Sequence, residues 1–138
     1  MFDWKNDFSV GIEEIDEQHK RLFAIGKQIY ELLNTYNGQD SFNSISSLIG
    51  EMSNYTAYHF QTEEELFEKY NYPEAQKHIA EHQEFIDYLQ SLDLSQIDSN
   101  QKEAIMDLLK FISRWIFRHI NSTDFRYSDF LIKAIKEN

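Results

Sequence analysis

The sequence predicts an all-α fold: an up-down-up-down antiparallel four-helix bundle with an extended N-terminal arm and a short C-terminal helix. Three observations carry this. The 138 residues include one proline and four glycines, so little interrupts helices. Apolar residues recur at three- and four-residue spacing through long stretches, the helical period. The connections between those stretches are short, which makes successive helices antiparallel neighbours. Residues 1–138 are expected to form a single domain, since a chain of this length can bury one sizeable core.

In the arm, residues 1–15, Phe2, Trp4, Phe8, Val10 and Ile12 all fall on even positions. That is period two, so the arm is expected to be extended and laid on the bundle by one face. Asp16 is the expected N-cap of a first helix over 17–35, with Leu22, Ile25, Ile29, Leu32 and Leu33 as its stripe and His19 near its start. Asn37-Gly38 ends that helix, and Asp40 or Ser41 starts the next. The second, over 42–70, carries Ile45, Leu48, Ile49, Met52, Tyr55, His59, Glu63, Leu66 and Tyr70 on one line. Gly50 costs about 1 kcal/mol relative to Ala, which close packing against a neighbour would explain. Glu64, Glu65, Glu68 and Lys69 read as a solvated face.

Pro73 suits the first turn of a third helix over 73–92, with Ala75, His78, His82, Phe85, Ile86 and Leu89 facing inward. The polar stretch 95–101 is expected to be a connection. A fourth helix over 100–121 aligns Ile105, Leu108, Ile112, Trp115 and His119. Asn121-Ser122-Thr123-Asp124 has poor helix propensity. An amphipathic piece over 125–136 follows, with Tyr127, Phe130, Leu131, Ala134 and Ile135.

A net charge of −11 opposes binding to nucleic acid or to anionic membranes, both of which need clustered cations. Without cysteine there is no disulfide, thiolate site or cysteine nucleophile, which suits a reducing compartment. No apolar run approaches the ~18 residues of a membrane span, and the start MFDWKNDFSV lacks the basic and apolar segments of a signal peptide. A cytoplasmic monomer is the expectation. The sequons at Asn54 and Asn121 fall in expected helices and read as chance matches.

The chemistry lies in the histidines. All five occupy helical stripes: His19; His59, leading H-x-x-x-E to Glu63; His78 and His82 as H-x-x-x-H; and His119, leading H-x-x-x-x-D to Asp124. A spacing of four stacks two side chains on one helix face, and facing helices build metal sites in bundle cores this way. One histidine on a stripe is ordinarily a satisfied core residue. Five with Glu63 are a different matter, because each buried polar group costs about 1–3 kcal/mol without a partner. A metal centre satisfies them together. Asp124 lies about 140° from His119 around a regular α-helix, so the two meet only across a π-bulge or a helix end.

On two six-coordinate metals, five imidazoles, two bridging carboxylates and one bridging oxide or hydroxide leave one position open for a small molecule. Imidazole with carboxylate suits iron better than copper or calcium, and zinc would not need seven ligands.

The pattern H…HxxxE…HxxxH…HxxxxD resembles the hemerythrin family in its single-domain bacterial form, as does the run Val10 to Phe23 (VGIEEIDEQHKRLF). The likeness runs from Trp4 to about Leu131, and the segment after Asp124, with Tyr127, is also similar. The resemblance implies a non-haem di-iron centre. His78, His82 and His119 would hold one saturated iron, His19 and His59 the iron with the open position, and Glu63 and Asp124 would bridge. It implies reversible O2 binding for storage, delivery or buffering, with small anions such as azide taking the same position when oxidised.

The residues expected around the site, Leu22, Phe23, Phe60, Phe67, Ile112, Trp115 and Ile116, are bulky and offer no proton donor. A dry pocket favours return of O2 over its consumption, so an enzyme is not expected. An O2, redox or NO sensing module and a di-iron peroxidase are the alternatives.

Overall fold

In a computed structural model the described residues, 2–137, form helices and no strand. Helices α1 (Glu13–Thr35), α2 (Phe42–Tyr70), α3 (Ala75–Gln90) and α5 (Gln101–Arg118) make an antiparallel bundle. Short α4 (Leu94–Ser99) joins α3 to α5, and a π-helical turn (His119–Asp124) joins α5 to α6 (Phe125–Glu137). No helix among the described residues is long and apolar enough to cross a membrane.

The arm lies on the bundle by its even-numbered face, burying Phe2 and Val10 and half-burying Trp4, Phe8 and Ile12. It is not extended throughout, because Asn6–Phe8 form one 3-10 turn. That turn brings Phe8 to 5.3 Å from Phe23, with Trp4 at 5.5 Å and Phe117 at 5.4 Å from the same ring. Helix α1 begins four residues before the expected position 17, so Asp16 lies inside it rather than capping it. The Asp16 carboxylate reaches back to the arm instead, accepting from Val10 N–H at 2.8 Å and from the Ser9 hydroxyl. Ser128 on α6 donates to the Val10 carbonyl at 2.6 Å, tying the arm at both sides.

Other boundaries shift for local reasons. Asp40, not Ser41, supplies the side-chain acceptor at the start of α2, taking Phe42 N–H at 3.1 Å. Asn71, in the left-handed region with φ 55°, ends α2, and Tyr72 N–H returns to the Phe67 carbonyl at 3.0 Å. This is the usual way to satisfy the last carbonyls of a helix. Pro73 therefore stands in the turn before α3, not in its first turn. The stretch 95–101 is not a plain connection. Asp93 caps α4 by accepting from Ser95 N–H at 2.9 Å and Gln96 N–H at 3.4 Å, and Ile97 anchors it in the core.

Gly50 is exposed and a Cβ there would meet nothing within 4 Å, so close packing does not explain it. The glycine that permits close approach is Gly26, where a Cβ would lie 2.7 Å from the Phe2 ring.

Candidate metal centre

Four elements converge toward the end of the bundle where α1 and α3 begin and α2 and α5 end: His19 from α1, His59 and Glu63 from α2, His78 and His82 from α3, and His119 and Asp124 from the π turn. All seven are buried. An i→i+5 turn sets residues five apart on one face, and His119 Nε2 accordingly lies 2.9 Å from Asp124 Oδ1.

The seven fall into two groups sharing Glu63: Glu63 with His78, His82 and His119, and Glu63 with His19, His59 and Asp124. Within each group the ligand-type atoms lie within 4.8 Å of one another, so each could hold a metal ion. Ring spacings show the same division. His78, His82 and His119 are 4.7 to 5.0 Å apart, and His19 stands 4.7 Å from His59. The carboxylates span the groups. Asp124 Oδ2 is 2.8 Å from His19 Nε2, while its Oδ1 is 3.0 Å from His78 Nε2. Glu63 Oε1 is 3.0 Å from His59 Nε2 and 3.2 Å from His82 Nε2.

The donor atoms test whether a metal fits. The Nε2 atoms of all five histidines and all four oxygens of Glu63 and Asp124 are buried without a hydrogen-bond partner. Their separations are short, but the angles are not those of N–H···O bonds. Buried polar atoms are rarely left so, and atoms aimed at common points instead of at each other are what cations require.

Three of the rings are held from behind. His59 Nδ1–H donates to Gln18 Oε1 at 2.7 Å, His82 Nδ1–H to Glu64 Oε2 at 2.8 Å, and His119 Nδ1–H to Glu81 Oε2 at 3.3 Å. A ligating histidine characteristically donates its other nitrogen in this way, which fixes the tautomer and the ring angle. These partners were not legible in the sequence. Glu64 belonged to a face read as solvated, and Glu81 and Gln18 are 38 and 41 positions from the rings they hold. The only local hint is adjacency, since Gln18 precedes His19, Glu64 follows Glu63 and Glu81 precedes His82.

Charge follows geometry. Burial alone would raise the carboxyl pKa values of Glu63 and Asp124, but the surrounding imidazoles hold both below the ordinary range. The hydrogen bond from His119 brings Glu81 down to about 2. Burial opposes protonation of His119 and His78, yet the carboxylates facing them raise both. At His59 burial wins, and its pKa is lowered.

Of the expected walls, Phe60 stacks on His82 at 3.9 Å, Trp115 on His119 at 4.3 Å, and Phe67 meets His78 at 4.8 Å. Leu22, Phe23, Ile112 and Ile116 are buried in one core cluster with Phe60 and Trp115, while Phe67 packs in a second with Tyr127 and Leu131. The expectation that no proton donor is near needs correcting. Tyr127 is fully buried 5.4 Å from His78, and its hydroxyl has no partner. Burial and the charges of Asp124 and Glu63 push its pKa far up, so it stays protonated.

The hemerythrin HHE cation-binding domain family matches residues 10–131. A bacteriohemerythrin of Clostridium acetobutylicum is 36% identical over 129 residues, covering 94% of this chain and all of that protein. A hemerythrin-like protein of Naegleria gruberi is 30% identical over 130 residues, 94% of this chain and 93% of its own. A crystal structure of a point mutant superposes with a TM-score of 0.73 at 21% identity, over 94% of this chain and 95% of that one, and shows the same fold. The chain belongs to the hemerythrin family.

Proposed function

We propose that the chain binds O2 reversibly at a non-haem di-iron centre, as a cytoplasmic, monomeric protein for oxygen storage, delivery or buffering and not as an enzyme. The observation carrying this reading is the convergence of five imidazole nitrogens and two carboxylates, buried and unpartnered, on one space shared by two groups. Seven donors rich in nitrogen and oxygen suit paired iron better than four-coordinate zinc. His78, His82 and His119 would hold one iron, His19 and His59 the other, and Glu63 and Asp124 both. A pair of ferrous ions held there would supply two electrons and a place for O2 to bind.

The chain's own residues set the conditions. Gln18, Glu64 and Glu81 hold three rings at fixed angles. Phe60, Phe67 and Trp115 cover the histidines and exclude water, which slows proton delivery. Tyr127 keeps its proton beside the carboxylates and so offers a hydrogen bond without supplying acid. A dry site of this kind favours release of O2 unchanged.

Metal analysis together with optical spectra of the isolated, reduced and re-aerated protein tests the reading. Two irons per chain, a visible band that returns on aeration, and a new band when azide meets the oxidised protein are expected. One zinc per chain, or no metal in folded protein, would overturn it.

A further inference from the structure

We propose, resting on the di-iron reading, that Glu64, Glu81 and Gln18 make the two metal positions electronically unequal and hold the higher oxidation state on the three-histidine side. On that side two rings donate to carboxylates, His82 to Glu64 at 2.8 Å and His119 to Glu81 at 3.3 Å. On the other side His59 donates to an uncharged amide, Gln18, at 2.7 Å. The remaining ring nitrogen there, His19 Nδ1, is buried with no partner. Gln18 is fixed in this role, because its amide nitrogen donates to Thr62 Oγ1 at 3.1 Å and so turns its oxygen toward His59.

A carboxylate behind an imidazole makes the ring a stronger donor to a metal. It also places a full negative charge one ring away from the ion, in surroundings that screen charge less than water does. Glu64 and Glu81 are only 35% and 26% exposed, so much of that charge is felt. An amide contributes a dipole and no charge. Two charges on one side and none on the other favour the more positive ion beside His82 and His119. The two-histidine side, with the open position, is then the easier one to keep reduced and ready for O2. These three are positioning residues, since none touches the metal space itself.

The test is a spectroelectrochemical titration of the iron-loaded wild type and of Glu64→Gln, Glu81→Gln and Gln18→Glu, with iron content and helicity measured on each. Glutamine keeps an acceptor of the same shape and removes only the charge. Each Glu→Gln change is expected to shift the ferric-to-ferrous ratio at fixed potential about tenfold toward ferrous, an upward shift of about 59 mV for a one-electron couple. Gln18→Glu should shift it the other way and bring the two one-electron steps closer together. Unmoved potentials in all three iron-loaded variants would overturn the proposal, leaving these residues only a mechanical role. Iron loss from a glutamine variant with wild-type helicity would also overturn it, because an uncharged acceptor should still hold the ring. A wild type without two irons would instead sink the di-iron reading, and is seen before any variant is made.

Discussion

Removing the metal is the perturbation whose size the site sets most directly. The inward-facing histidine Nε2 atoms and carboxylate oxygens lack hydrogen-bond partners within the protein. Each such buried atom costs about 1–3 kcal/mol, so the set would cost roughly 10–25 kcal/mol unrelieved. Protons bring relief, because every one of the five imidazoles has a carboxylate oxygen 2.8 to 3.2 Å away. Small rotations turn protonated rings into donors to those oxygens. If this recovers two-thirds of the cost, chelated protein is less stable than loaded protein by about 5 kcal/mol, the scale of a small domain's whole stability. At about 2–4 °C per kcal/mol for a domain of nearly this size, the melting temperature falls by roughly 10–20 °C. Calorimetry on loaded and chelated protein measures it, with far-ultraviolet dichroism confirming that the chelated chain is still helical before heating. If protein carrying two irons and its chelated form melt within about 2 °C of each other, the reasoning is refuted: the buried donors would then be satisfied without metal.

The remaining predictions concern single residues and pH. Glu63→Ala and Asp124→Ala each remove contacts to both groups, so both should lose the pair of irons while keeping the helical spectrum. Full iron occupancy with unchanged magnetic coupling would contradict their bridging role. Trp115 covers the three-histidine side, whereas Leu22 lies one turn beyond His19. Leu22→Ala should therefore speed autoxidation more than Trp115→Ala does, as followed by decay of the oxygenated band, and equal rates would place the water barrier elsewhere. Gly50→Ala should add about 1 kcal/mol in denaturant unfolding, while Gly26→Ala, whose Cβ would strike Phe2, should lower stability. In chelated protein the raised pKa values of His78 and His119 contribute stability that is complete below about pH 6.5 and lost as pH rises through the folded values. The depressed values of Glu63 and Asp124 contribute stability that is present above about pH 4.5 and lost as pH falls. His59, lowered by burial, works against the other two histidines. Chelated protein should thus be most stable in mildly acidic buffer, and a melting temperature that rises steadily to pH 8 would contradict this.

The sequence by itself determined what depends on neighbours three, four or five positions apart. Helical stripes, the face shared by His59 and Glu63, the face shared by His78 and His82, and the need for an unusual turn between His119 and Asp124 are all local consequences of helix pitch. Even the period-two face of the arm could be read this way, although the turn at Asn6–Phe8 could not. Only tertiary structure decided which side chains meet across the bundle, because residues far apart in the chain must first be packed together. That is why Glu64 was read as part of a solvated face, and Gln18 and Glu81 drew no reading, until folding set each behind a histidine on another element. The same holds for Gly26, whose missing side chain matters only because the Phe2 ring lies against it. Tyr127 belongs here too: periodicity put it on an apolar stripe, but it is buried beside the charges of Asp124 and Glu63 only once α6 has docked. Helix pitch is a property of adjacent residues, whereas a partner across the bundle exists only after the core has formed.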